Sequence, residues 1–156
     1  MPSAVGKDFP VALLQTIAQV PDVRLISLQK GSGVEQLGEL PPGMRVEDLG
    51  PDFDSGTTGF LDTVAVMECL DLIITCDTSV AHLAGALGRP TWIALKHVAD
   101  WRWLTERNDT PWYPTVCLFR QPRAGDWSSV FDSMLGRLRS QLNCANKGSG
   151  SECARP

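Results

Sequence analysis

The sequence predicts an α/β fold, a doubly wound and mostly parallel sheet in three αβα layers. Two runs carry that expectation: Leu72-Ile73-Ile74-Thr75-Cys76 and Thr91-Trp92-Ile93-Ala94-Leu95. Both are almost unbroken in apolar character, the pattern of strands buried on both faces of a parallel sheet. Amphipathic stretches alternate with them, and strand–helix alternation implies right-handed crossovers between parallel strands.

Taken in order, residues 11–18 have helical apolar spacing and Pro21 closes the helix. Residues 23–28 are β-branched and aliphatic, a strand. Ser32-Gly33-Val34-Glu35 reads as a capping box opening a short helix. Pro41-Pro42-Gly43 breaks the chain before a weaker strand at 45–49, and a Gly-, Asp- and Thr-rich loop covers 50–59. In that loop Asp52 and Asp54 read as turn formers. Residues 60–70 form a helix with one apolar face. The strand at 72–76 leads directly into a helix at 79–87, which Gly88 and Pro90 end. After the strand at 91–95 comes a loop with Trp101, Trp103, Trp112 and Tyr113, then a strand at 115–119 and an amphipathic helix at 127–142.

The chain has 156 residues, 43% hydrophobic and 21% charged, which suits one ordinary globular domain over residues 1–142. Residues 143–156 are polar and rich in Gly and Ser, and are expected to form a disordered tail. A formal net charge of −4 disfavours nonspecific nucleic-acid binding. No apolar run is long enough for a membrane span, and Met1 to Gly6 lack a signal-peptide pattern, so a cytoplasmic location is the expectation. Cys69, Cys76 and Cys117 lie in or beside apolar segments, Cys144 and Cys153 lie in the tail, and no CxxC pair occurs; reduced thiols and no metal site are expected.

In an open α/β sheet, ligands bind beyond the carboxyl ends of the strands. The informative segment there is Asp77-Thr78-Ser79-Val80-Ala81-His82. A buried strand runs into a tight turn and a helix whose free N–H groups face the ligand side. Beyond Asp77 the first turn holds no acidic side chain, which leaves room for an external anion such as a diphosphate. Thr78 and Ser79 supply hydroxyls, and His82 an imidazole one turn in. The same residues also allow a purely structural reading, with Asp77 or Thr78 as an N-cap and His82 as a helix residue with a structural bond. Gln29 and Lys30 end another strand, but their loop has neither phosphate-loop nor GxGxxG spacing. Trp101 and Arg102 belong to the aromatic loop, where indoles beside arginines suit stacking on a base or sugar, or packing over the sheet edge. Neither a nucleophilic triad nor a carboxylate pair is evident, so the sequence supports binding better than bond-making, and no catalytic residue is assigned.

The stretch from Phe60 to Thr91, with Asp77-Thr78-Ser79-Val80-Ala81-His82 at its centre, closely resembles the C-terminal domain of heptosyltransferase-like enzymes, glycosyltransferase family 9. The likeness is nearest to bacterial proteins in which such a domain follows tetratricopeptide repeats. Ser27-Leu28-Gln29-Lys30-Gly31, Asp100-Trp101-Arg102-Trp103 and Pro111-Trp112-Tyr113-Pro114 extend it over about residues 7–135. The resemblance implies a Rossmann-like half of a GT-B enzyme that binds a nucleoside diphosphate sugar as donor substrate, with no further cofactor. It assigns the diphosphate to Asp77, Thr78 and Ser79 with His82 nearby, and matches Lys7 to a basic position that contacts the donor. It places acceptor binding and the base in an N-terminal half outside this sequence. It also implies a strand before Lys7, where only Met1 to Gly6 stand, and hence a sheet without its first strand and with an exposed edge. Two functions follow as expectations: a donor-binding domain that needs an N-terminal partner for catalysis, or a truncated, non-enzymatic module that binds or self-associates through that edge. Lys96-His97-Val98-Ala99 stands where relatives carry an apolar, proline-containing stretch.

Overall fold

The computed structural model describes residues 6–57 and 59–146. Its centre is a three-stranded parallel sheet of β1 (Ile73–Cys76), β2 (Thr91–Leu95) and β3 (Val116–Arg120), in that order. The ladders run Ile73 to Thr91 and Cys76 to Ala94 on one side, and Thr91 to Val116 and Leu95 to Arg120 on the other. All five residues of β2 are buried. The apolar run at 91–95 is therefore what it looked like, a central strand covered on both faces.

Each face of the sheet has its own helices. On one face α4 (Trp127–Asn146) lays Val130, Phe131 and Met134 against Trp92 and Ala94, together with Ile17 of α1 (Gln15–Ala18). Phe9 wedges its ring edge-on against Phe131, at 4.8 Å between centroids, and against Trp127. On the other face α2 (Leu61–Glu68) and α3 (Ser79–Ala86) cover Ile73 with Met67 and Ala84. Beside them the wholly buried Trp103 packs with Ala81, Ile93 and Leu95. The chain is thus a three-layer, Rossmann-like α/β fold.

Helix ends follow local chemistry. At the end of α3 the Arg89 N–H reaches the Ala84 carbonyl and the Gly88 N–H reaches that of Gly85, with Gly88 at φ 67°. This paired closure needs a left-handed residue, which Gly88 supplies. Asp126 starts α4 by accepting the Ser129 N–H at 3.1 Å and its hydroxyl at 2.9 Å. That helix runs through Asn146, past the expected end at 142, so residues 143–146 are helical. The remainder of the expected tail, with Cys153, lies outside the described residues.

Three other expectations change. Residues 23–28 and 45–49 do not join the sheet as strands; they meet in one parallel bridge, Ile26 with Glu47. The 11–18 segment begins as a 3₁₀ turn, Val11–Leu14, before α1. The capping box at Ser32 does not form, because Gly33 sits at φ 97° and itself precedes the 3₁₀ turn Val34–Gly38. Glu35 turns back to accept the Gly33 N–H instead, at 2.8 Å.

The cap of α2 comes from a distance. Phe60 precedes that helix in a left-handed conformation with no side-chain cap. Asp54 reaches across instead, accepting from the Asp62 N–H at 2.9 Å and from the Thr63 N–H and hydroxyl, while Asp62 accepts the Asp54 N–H at 2.8 Å. Chiefly the Thr63 hydroxyl, and then these N–H groups, hold the Asp54 carboxyl below its usual range. A depressed carboxyl adds stability above its unfolded pKa of about 3.9, and that stability is lost as pH falls through the folded value. Asp54→Asn is therefore expected to lower Tm at neutral pH and to converge on the parent as pH falls through the acid transition. Thermal melts across pH check this, and a constant Tm gap down to the acid limb would contradict it.

Candidate functional site

The turn after β1 places the polar residues. Thr78 stands at the N-cap of α3 in extended conformation, φ −133° and ψ 177°, but its side chain makes no cap bond. Its hydroxyl lies 3.3 Å from that of Thr75 on the strand below. Asp77 does not cap the helix either. Its carboxylate, 8% exposed, meets Lys7 Nζ at 3.2 Å. No acidic residue lies in the first turn of α3. Both structural roles that the sequence left open for Asp77 and Thr78 as side-chain caps are thus unfilled, and among the described residues the positive end of the helix has no side-chain acceptor.

Lys7 has a second carboxylate near it. Asp100 accepts the Arg102 N–H at 3.1 Å and Arg102 Nε at 2.9 Å, and opens the 3₁₀ turn Trp101–Trp103. The Arg102 backbone N–H foremost, with the Arg102 and Lys7 charges adding, holds the Asp100 carboxyl low. Lys7 pairs with Asp77 and Arg102 with Asp100, while Asp8 adds a third carboxylate beside Cys76. The helix end contributes a partial charge of about +0.5.

His82 is held firmly. Its Nδ1 lies 3.1 Å from the Tyr113 hydroxyl, and its ring stacks on Trp103 at 5.2 Å and 18°. The structural bond that the sequence allowed for His82 therefore exists, and it leaves Nε2 without a partner among the described residues. Tyr113 was not singled out as its partner, because a contact across 31 positions leaves no local pattern.

The predicted residues divide between two clefts on either side of the α3 N-terminus. His82, Trp101 and Arg102 line a cleft of about 390 Å³ with Trp112 and Tyr113. Trp101 is 75% and Trp112 57% exposed, and Trp112 Nε1 donates to the Arg102 carbonyl at 2.9 Å. Gln29, Lys30 and Thr78 border a larger crevice of about 800 Å³ against the free side of β1. Gln29 Nε2 donates to the Ser32 carbonyl and Lys30 Nζ to the Phe53 carbonyl, so both side chains are tied to their own loops. Ser79 follows Thr78 at the first position of α3. Lys7 and Asp77 sit together at the turn itself.

Cys76 ends β1 with its thiol 3.7 Å from Asp8 Oδ1. Burial first, then the Asp8 charge and bond, push that thiol up to about 12, so it stays protonated at neutral pH and serves no nucleophilic role.

Comparison with known proteins accords with this architecture. The family model for glycosyltransferase family 9 (heptosyltransferase) matches residues 7–95, more than half of the chain. Protein FlbA of Caulobacter vibrioides is 28% identical over 131 residues, which are 83% of this chain and 22% of FlbA. The chain thus spans about a fifth of that relative's length. No solved structure matches.

The site depends on one close approach. A Cβ at Gly85 would lie 2.5 Å from the Tyr113 ring, the residue that orients His82. Gly85→Ala gains about 1 kcal/mol of helix propensity. Overpacking against a ring costs about 1–3 kcal/mol. The expected outcome is net destabilisation in chemical denaturation together with a displaced His82 imidazole resonance in NMR. Unchanged stability and an unmoved resonance would refute the contact.

Proposed function

The chain belongs to glycosyltransferase family 9, and from that membership we propose that it binds the diphosphate of a nucleoside diphosphate sugar at the N-terminus of α3. One observation carries the reading: the α3 N-terminus follows a half-buried strand, holds no acidic residue in its first turn and receives no side-chain cap among the described residues. N–H groups in that position bind anions through direct hydrogen bonds and the helix dipole. Lys7 adds an ammonium with three donors, of which Asp77 takes one. Asp77 thereby holds the lysine at the turn, with two donors left for an incoming diphosphate.

His82 Nε2 and the indoles of Trp101 and Trp112 offer a polar ring nitrogen and flat apolar faces beside that turn. These suit the sugar or base carried by a diphosphate. In transfer, the leaving diphosphate gains charge, and fixed N–H donors stabilise it most at that moment. The acceptor and the base come from an N-terminal half that acts with this domain. The scheme requires no metal ion.

Calorimetric titration with UDP, ADP, GDP and TDP tests the reading. At least one is expected to bind the parent chain. Losing a charge-assisted bond costs about 1.5–3 kcal/mol, so Lys7→Ala is expected to weaken binding by about tenfold to a hundredfold. His82→Ala should weaken it less. If none of the four binds at millimolar concentration, the donor-site reading fails.

A further inference from the structure

We propose that Tyr113 is a positioning residue that fixes the tautomer of His82, so that the imidazole presents Nε2–H, a hydrogen-bond donor, to the cleft beside the α3 N-terminus. For what the cleft receives, this rests on the donor-site reading above. The structural origin is a gap in a helix. Gly85 stands one turn after His82 on the same face of α3. Any side chain there would collide with the Tyr113 ring. The ring therefore rests on bare helix backbone, and from there its hydroxyl reaches His82 Nδ1 at 3.1 Å. Two bonds hold the segment in place: the Tyr113 carbonyl accepts the Val116 N–H at 3.1 Å, and the neighbouring Trp112 Nε1 donates to the Arg102 carbonyl. Trp103 stacks on the imidazole, so the plane of that ring is fixed as well.

Which group donates follows from what else is available. A phenol oxygen both donates and accepts, and a neutral imidazole has one nitrogen of each kind. Among the described residues the Tyr113 hydroxyl has no acceptor other than His82 Nδ1. With the proton on Nδ1, the Tyr113 O–H would be left without an acceptor in the protein. With the proton on Nε2, the hydroxyl donates to Nδ1 and both groups are satisfied. His97, the chain's other histidine, is the opposite case. Its Nδ1 lies 3.1 Å from the Gln121 carbonyl, which can only accept, so neutral His97 carries its proton on Nδ1. One histidine thus keeps an Nε2 lone pair and the other an Nε2–H. The cleft around His82 suits the second state. Its lining holds no carboxylate or carboxamide; the other charged group there is the Arg102 guanidinium, whose Nε is engaged by Asp100. Donors without a competing acceptor select a ligand rich in acceptor oxygens, as a phosphoryl group is. In this state neutral His82 has no lone pair on the cleft side, so it binds there and does not serve as a base.

Long-range proton–nitrogen correlation spectra of the ligand-free, isotope-labelled full chain test the assignment at mildly alkaline pH, where an ordinary imidazole is neutral. Only two histidines contribute, and a His82→Gln variant identifies which signals belong to which. His82 is expected to show a pyrrole-type Nε2 and a pyridine-type Nδ1, and His97 the reverse. Tyr113→Phe keeps the ring on Gly85 and removes only the hydroxyl. It is expected to draw the two His82 nitrogen shifts toward each other and to leave His97 unchanged. A pyrrole-type Nδ1 on His82 in the parent overturns the proposal, whether or not the variant folds. An unaltered His82 pattern in Tyr113→Phe overturns it too. In calorimetry with UDP, ADP, GDP and TDP, Tyr113→Phe is expected to weaken whichever nucleotide binds the parent by about twofold to tenfold, the loss of one neutral hydrogen bond. Equal affinity of parent and variant overturns the positioning role. If none of the four binds and the spectra are as expected, the donor-site reading fails and the tautomer assignment stands.

Discussion

Everything in this fold depends on β2 being buried on both faces and bonded on both edges. Its five residues have no contact with solvent worth the name, so each side chain needs an apolar layer above or below. Trp92 and Ala94 point to the α1 and α4 layer, while Ile93 and Leu95 point to Trp103 and Ala81. Alternation within one strand thus demands two separate layers, and the chain supplies both. The parallel pairing on each side then fixes the carboxyl ends of β1, β2 and β3 at one edge. The Asp77 turn, the Asp100 loop and Gln121 all emerge there. Gln121 is buried and joins two of those loops, accepting the His97 and Gly125 N–H groups on Oε1.

The sequence was legible where an apolar run is local. The runs at 72–76 and 91–95 both read directly as strands, although only 91–95 is buried throughout, and β1 alternates buried with half-buried residues. Gly88 and Pro90 likewise mark the end of α3 because the backbone there needs a left-handed residue. Residues 45–49 are different. Arg45, Glu47 and Asp48 interrupt the apolar pattern, and strand geometry there depends on neighbours rather than on propensity. With one flank open, only the Ile26–Glu47 bridge forms. The Ser32 capping box failed for a torsional reason, the left-handed Gly33, which no residue pattern announces.

At the site, residue identity could be read and partnership could not. The likeness singled out Lys7, Asp77 and His82, but not that Lys7 closes on Asp77 from 70 positions away in the sequence or that Asp100 stands close by. Tyr113 escaped notice because its value lies in two contacts, the His82 bond and the fit against Gly85, and both are tertiary. Asp54 reads as a turn residue, and its left-handed φ of 47° agrees with that. Its second task, capping α2 from eight residues away, exists only once the loop has folded back.

The two clefts differ in kind, and size ranks them in the wrong order for chemistry. Large apolar concavities are by default ligand sites. That default presumes that the walls have satisfied their own backbone, and among the described residues the larger crevice does not meet the condition: its two walls are the outer side of β1 and the segment around Ile26. The smaller cleft does meet it, since side chains form its walls: His82, Trp101, Arg102, Trp112 and Tyr113. The two are coupled through β1. The Asp77 turn is the continuation of that strand, and among the described residues β1 is held by a ladder on one side only. The β1–β2 ladder, Ile73 to Thr91 and Cys76 to Ala94, is therefore what fixes the turn that presents the α3 N-terminus.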